Sequence, residues 1–300
     1  MTDRFLSLFQ FSGAALLLTI YVAVFALMVA WEFAAPRRAP KDKAARWCIN
    51  SALLISNTAI VRIALPVLPV TLAVLCRAKG WGILNAMPMP LWIRIPAGII
   101  LLDLSLYLQH LLFHALPLLW RIHQVHHADD GIDVTSSFRY HPFEPLVGTA
   151  LVLASVSIIG PDPIAVAAFE AALGVTAMFS HGNVRIPSGL DAVLRWMMLT
   201  PDMHRVHHSA DEWESRRNFS SIFSWWDRIF GTYRAAPAAG HEAMVIGLAS
   251  PVRVGRPSLW GLIILPFNNN NLNNNNVGGY REPLSAEIVS RQDRAKKKKQ

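Results

Sequence analysis

From residue 5 to residue 31 the chain carries no charged side chain. About 20 apolar residues cross the hydrocarbon core of a bilayer as a helix, so this run is long enough to span. It is too long for a secretory leader and has no small-residue cleavage site, so it reads as a retained span. A basic loop follows, with Arg37, Arg38, Lys41, Lys43 and Arg46 against Asp42 alone. The next apolar stretch, 47–76, is interrupted by Arg62, Pro66 and Pro69, which predicts a broken span or one lying partly in the interface. A third stretch runs from residue 95 to about 119, interrupted by Asp103 and two histidines. A fourth, 146–180, divides at Gly160-Pro161-Asp162-Pro163 and predicts a helical hairpin whose halves are short for full crossings.

Composition supports a membrane setting. Hydrophobic residues make up 53% and charged residues 16%, against about 25% charged in soluble chains. The net charge of +8 then reads as positive-inside loops rather than nucleic-acid binding. Cys48 and Cys76 lie in apolar surroundings without CxxC spacing, which supports neither a thiolate metal site nor a redox pair. With the basic loop on the cytoplasmic side, counting crossings returns segments 120–143 and 181–300 to that side. The predicted architecture is all-α: about three spans plus a helical hairpin, capped by a cytoplasmic histidine-rich helical region. Residues 1–46 form the first helix and basic loop, and 47–267 the main membrane domain. Residues 268–300, with their asparagine tract and lysine run, read as a disordered tail. The apolar piece 259–267 is too short to span and is expected on the membrane or against the domain.

The chemistry-bearing feature is histidine. Ten of eleven lie between His110 and His208. The pattern H-x-x-H-H occurs twice, at His123, His126, His127 and at His204, His207, His208. On a helix, positions i, i+3 and i+4 share one face, so each motif is expected to aim three imidazoles at one point. His110 and His114 form an i, i+4 pair at the inner end of the third span, with Asp103 and Tyr107 earlier on that face. His181 closes the hairpin, and His141 lies on the loop before it. Two, three, one and three give nine candidate ligands, too many for one ion, which favours a dinuclear centre. Neutral imidazole suits iron, zinc, copper and nickel; iron is preferred because it activates oxygen, whereas zinc does not change oxidation state. Asp103 is read as orienting a ligand imidazole in slight preference to pairing with Arg62. His241 is read as an ordinary structural histidine.

Taken together, the motifs resemble the fatty acid hydroxylase superfamily, also called the sterol desaturase family, of integral-membrane non-haem di-iron enzymes. The resemblance covers about residues 45–267. It rests on D-x-x-x-Y-x-x-H-x-x-x-H at 103–114, LWRIHQVHH at 119–127 and TSSFRYHPFE at 135–144. FSHGN at 179–183, TPDMHRVHHS at 200–209 and WWDRIFGTY at 225–233 complete it. It implies oxygen-dependent hydroxylation or desaturation of a lipid at a metal site on the cytoplasmic face, in a bacterial inner membrane or an endoplasmic reticulum. Carried over, it implies His110, His114, His123, His126, His127, His181, His204, His207 and His208 as ligands. His141 stands beside them as a ligand or a supporting residue, with Asn218 and Asp227. Asn218-Phe219-Ser220 stands where the family usually has Asn-Tyr-Gly, and Leu111 where many members have arginine. Trp225, Trp226, Asp227 and Phe230 are read as packing and interfacial anchors.

On this reading a lipid tail enters a slot between the third span and the hairpin, beneath the histidine cap. Two irons and O2 then supply the oxidation. The sequence has no iron–sulfur cysteine run and no G-x-G-x-x-G before a helix, so a separate ferredoxin, cytochrome or reductase is expected to deliver electrons. The alternatives are a zinc-dependent membrane hydrolase or isomerase, a membrane haem electron carrier and a non-catalytic lipid-binding relative. The haem reading needs histidines facing each other across the bilayer core, whereas these crowd one boundary.

Overall fold

A computed structural model of the chain describes residues 2–249 and 258–268, with side chains from Ala15 onward. The tail expected at 268–300 lies outside the described residues beyond Asn268. Among the described residues there are only helices, turns and two isolated bridges. Nine helices set the architecture: α1 (Thr2–Ala34), α2 (Lys43–Ala64), α3 (Pro69–Lys79), α4 (Leu91–Ala115), α5 (Pro117–His127), α6 (Phe143–Ile159), α7 (Pro163–His181), α8 (Ser188–Leu194) and α9 (Pro201–His207).

Proline punctuates the chain as its chemistry dictates. Pro69, Pro117, Pro163 and Pro201 sit in the first turns of α3, α5, α7 and α9, where a missing N–H costs nothing. Pro66 disfavours a helical Leu65, so α2 stops at Ala64 and the second span is broken as expected. Four stretches are long and apolar enough to cross a membrane: Ala15–Ala34, Lys43–Lys79, Leu91–Ala115 and Pro163–His181. The chain is a membrane protein.

The helices alternate in direction between two ends. At one end, Gly82 meets Gly160 at the tip of the α6–α7 hairpin, and Arg77 of α3 pairs with buried Asp162 at 2.5 Å. Gly160 has φ 63°, and a Cβ there would lie 2.6 Å from the Trp81 carbonyl, so only glycine allows this corner. The hairpin thus reaches the same end as α3, further than the length of its halves suggested. Between α4 and the hairpin, Leu102, Leu106, Val156, Val166 and Phe169 form a packed core. The expected slot at that place is therefore filled by side chains.

At the other end lie the C-termini of α1, α4 and α7, the N-termini of α2 and α6, and the cap. The basic loop joins them: Arg37 N donates to the Asn183 carbonyl, and the Arg37 side chain pairs with Asp202. Arg46 does not behave as a loop charge. It is 1% exposed and bonds Asp129 (2.6 Å) and Asp133 (2.7 Å), fixing α2 to the turn after α5. The 259–267 piece packs through Leu262 and Leu265 on Leu53 and Val125.

Candidate metal centre

The cap folds back so that α5 and α9 lie against the ends of α4 and α7. Nine histidines converge there in two groups, and within each group the ligand atoms lie within 4.8 Å of one another. One group holds His110, His114, His123, His127 and His207; the other holds His126, His181, His204 and His208. The motifs are therefore interleaved. The i, i+4 pair His123 and His127 serves the first group while His126 serves the second. In the other motif, His204 and His208 serve the second group and His207 the first. A face shared by i and i+4 explains this split, and the expectation of three imidazoles per point gives way to two plus one.

Hydrogen bonds at the outer ring nitrogens fix the tautomers. Nδ1 of His110 donates to the Phe219 carbonyl (2.8 Å), and Nδ1 of His207 to that of Arg217 (2.9 Å). His126 and His181 donate likewise to the carbonyls of Arg139 (3.2 Å) and Ala177 (2.8 Å). A neutral imidazole that donates through Nδ1 keeps a lone pair on Nε2. Those of His126 and His181 then face each other at 3.1 Å, and a third Nε2, of His204, stands 2.9 Å from that of His181. In the first group the Nε2 atoms of all five histidines are buried and have no hydrogen-bond partner. Converging, buried, unpaired lone pairs are costly unless a cation satisfies them. The residues present fit metal ions, and all-imidazole donors suit iron or zinc. Burial, then neighbouring histidines, holds His126, His127, His204, His207 and His208 well below the ordinary imidazole value. These rings are neutral at pH 7, the form that binds metal.

The supporting residues depart from several expectations. Asp103 orients no histidine and does not meet Arg62. Its carboxylate accepts from Ile222 N and Phe223 N (both 3.1 Å) and from Trp226 Nε1 (2.9 Å), and so ties α4 to the 222–226 segment. His141 belongs to neither group: Nε2 donates to the Ile263 carbonyl and Nδ1 accepts from Phe143 N, which leaves no free lone pair. Asn218 adopts φ 55° and bridges the carbonyls of Met203 and Arg234 through its amide, supporting the backbone beside Arg217. Asp227 accepts from Phe219 N (2.7 Å) and Ser220 N (3.1 Å), so it holds the segment whose carbonyl receives His110. His241 lies apart, 3.7 Å from Asp202.

One partner escaped the sequence reading. Glu144, at the start of α6, accepts from His123 Nδ1 at 2.6 Å. Its only signal was its place at the end of the TSSFRYHPFE motif. Arg139 also matters through its backbone, and its side chain, which donates to the Val125 carbonyl (3.1 Å), locks that backbone against α5.

With the geometry in place, comparison with known proteins is informative. Residues 95–232, which carry all nine grouped histidines, match the fatty acid hydroxylase family model. That region, just under half of the chain, is similar to the fatty acid hydroxylase family. Among curated relatives, the ornithine lipid hydroxylase OlsE of Rhizobium tropici is 30% identical over 170 residues, 55% of this chain and 49% of that protein. Human alkylglycerol monooxygenase is 25% identical, covering 52% of this chain and 33% of its own length. Rat cholesterol 25-hydroxylase is 25% identical, covering 46% of each. The chain thus spans about half or less of the length of these relatives. No solved structure gives a significant match. The Phe219 ring packs against His110, His114 and His207.

Proposed function

We propose that this protein is a membrane-bound di-iron oxidoreductase that uses O2 and external electrons to hydroxylate a lipid. The observation that carries the reading is the convergence of nine imidazoles, eight of them buried, in adjoining groups of five and four at one end of a membrane bundle. On this reading His110, His114, His123, His127 and His207 hold one iron, and His126, His181, His204 and His208 hold the other. Bound iron would supply the oxidising power needed to break an unactivated C–H bond. The related hydroxylases act, by their names, on an ornithine lipid, an alkylglycerol and cholesterol. What those substrates share is a long or bulky hydrocarbon, so the reacting group is taken to be a hydrocarbon carbon of a lipid, with hydroxylation ahead of desaturation.

The chain's own residues do three things in this scheme. Carbonyls of Phe219, Arg217, Arg139 and Ala177 and the Glu144 carboxylate orient the imidazoles before any metal arrives. Apolar and aromatic neighbours, Phe113, Trp120 and Phe219, exclude water around the five-histidine group. The spans hold the reacting end at the membrane boundary, so the lipid need not leave the bilayer. Electrons come from a separate ferredoxin, cytochrome or reductase, and the metal end faces the cytoplasm. The functional unit is residues 47–267, with 1–46 supplying the first helix and the basic loop.

The test is metal analysis of detergent-purified protein expressed with iron, together with its absorption spectrum and O2 uptake with lipid and reductant. Close to two irons per chain, no haem band and lipid-dependent O2 uptake are expected. Stoichiometric zinc whose replacement by iron gives no O2 uptake would overturn the reading in favour of a zinc hydrolase or isomerase.

A further inference from the structure

Outside the apolar spans, one face of the cap exposes a run of large apolar side chains. On and just after α8, Trp196 is 65% exposed, and Leu190, Val193 and Met197 are exposed beside it. On the segment after Ser224, Ile229 is 65% and Phe230 51% exposed. The two pieces form one surface: Trp225 Nε1 donates to the Trp196 carbonyl at 3.0 Å, and the Arg228 guanidinium lies 4.4 Å over the Trp196 ring. A soluble surface rarely leaves so large an apolar patch uncovered.

Asp103 fixes the depth of this surface. It stands at the midpoint of the 25-residue α4, about 18 Å from either end at 1.5 Å per residue. Its carboxylate receives Ile222 N, Phe223 N and Trp226 Nε1, so the 222–226 backbone lies beside the middle of a membrane span. Ile222 is packed in the same core as Leu102 and Phe169. Irregular backbone survives at such depth only if its polar groups are satisfied. Here they are: Asp103 takes two N–H groups, Asp227 takes those of Phe219 and Ser220, and Phe230 N returns to the Trp226 carbonyl.

We propose that α8 and residues 221–230 form a re-entrant wedge lying in the phospholipid bilayer. Acyl chains contact Val193, Trp196, Ile229 and Phe230, and the Arg228 guanidinium is covered by the rings of Trp196 and Tyr233. Continuity with the α4 span selects lipid as the occupant of this face. The wedge also brings hydrocarbon close to the histidines. Phe230 stacks on Tyr107 at 5.3 Å, one helical turn before His110, the one grouped histidine that is not fully buried. The wedge rests on membrane insertion alone and does not depend on the metal or the reaction.

The test places a bimane label at Ile229→Cys, Trp196→Cys and Val193→Cys in full-length protein lacking Cys48 and Cys76, reconstituted in nanodiscs. Leu18→Cys on α1 serves as the lipid reference and Glu212→Cys as the water reference. Brominated phospholipid is expected to quench the three wedge labels as it quenches position 18, several-fold more than iodide does. Quenching by iodide as at position 212 would put the face in water and overturn the proposal. Quenching by neither would mean that protein covers it, a second copy included, and would overturn it equally. Three separate positions keep the outcome readable if one variant fails to fold.

Discussion

The two histidine groups are built from the same ligand type and the same two motifs, yet their surroundings differ. The five-histidine group is walled by Phe113, Trp120 and Phe219, and one of its members, His123, is backed by a carboxylate. In the four-histidine group the outer nitrogens of His126 and His181 meet neutral carbonyls, and the inner nitrogens crowd to about 3 Å. A carboxylate raises the basicity of the imidazole it holds and strengthens its hold on a metal. Fewer ligands leave more open positions. On the proposed reading, the difference predicts tighter metal binding at the five-histidine group than at the four-histidine group.

Four experiments break or sharpen that contrast. The largest effect is expected from removing ligands: His126→Ala or His207→Ala should abolish turnover and lower metal content, while His241→Ala changes neither. Full activity in either of the first two variants would dissolve the contrast along with the ligand assignment. Next, breaking the buried Arg46 network with Asp129→Ala should cost about 3–5 kcal/mol, because it removes one of the two carboxylates that pair the buried guanidinium and leaves Asp133 alone to hold it; thermal or denaturant unfolding in detergent reads this. Asp129 itself is held well below the usual carboxylate range by Arg139 and Arg46 against its burial. Third, Glu144→Gln should weaken metal binding at the five-histidine group by about 10–100-fold and leave the other group unchanged. A two-step metal titration in which only one step moves would establish the asymmetry, and equal shifts would remove it.

The last is pH. Burial lowers the imidazoles of His126, His127, His204, His207 and His208 in the folded state, while unfolded histidine titrates near about 6.5. Below that value the unfolded chain takes up protons that the folded cap refuses, so stability falls as pH falls. Metal-stripped protein should therefore lose melting temperature steadily from about pH 6.5 downward. A flat profile there would show that the cap admits protons, and hence water, at both groups.

Much of this was legible in the sequence because its signals are periodic or clustered. Apolar runs and prolines marked the helices, and the repeated H-x-x-H-H drew attention to nine histidines that the fold brings together. What stayed hidden depends on contacts remote in sequence. Nothing local to Asp103 says that its partners are backbone groups at 222 and 223, and its placement among histidines suggested an imidazole instead. His141 carries a motif histidine's appearance, but both its nitrogens are consumed at the start of α6 and by Ile263. The two-plus-one division of each motif follows from helix geometry only once α4 is known to bring His110 and His114 to one group and α7 to bring His181 to the other.

Arg46 has a consequence for how the chain is made. Its partners Asp129 and Asp133 lie 83 and 87 residues downstream. During synthesis α1 and α2 emerge first, and this guanidinium has no carboxylate to meet until α4 has threaded the bilayer and α5 has followed. Through that interval it must stay at the aqueous surface, where it helps hold the first helical pair in its orientation. When the turn after α5 arrives, the same charge changes employment: a topogenic signal becomes the bolt that closes the cap over the first spans.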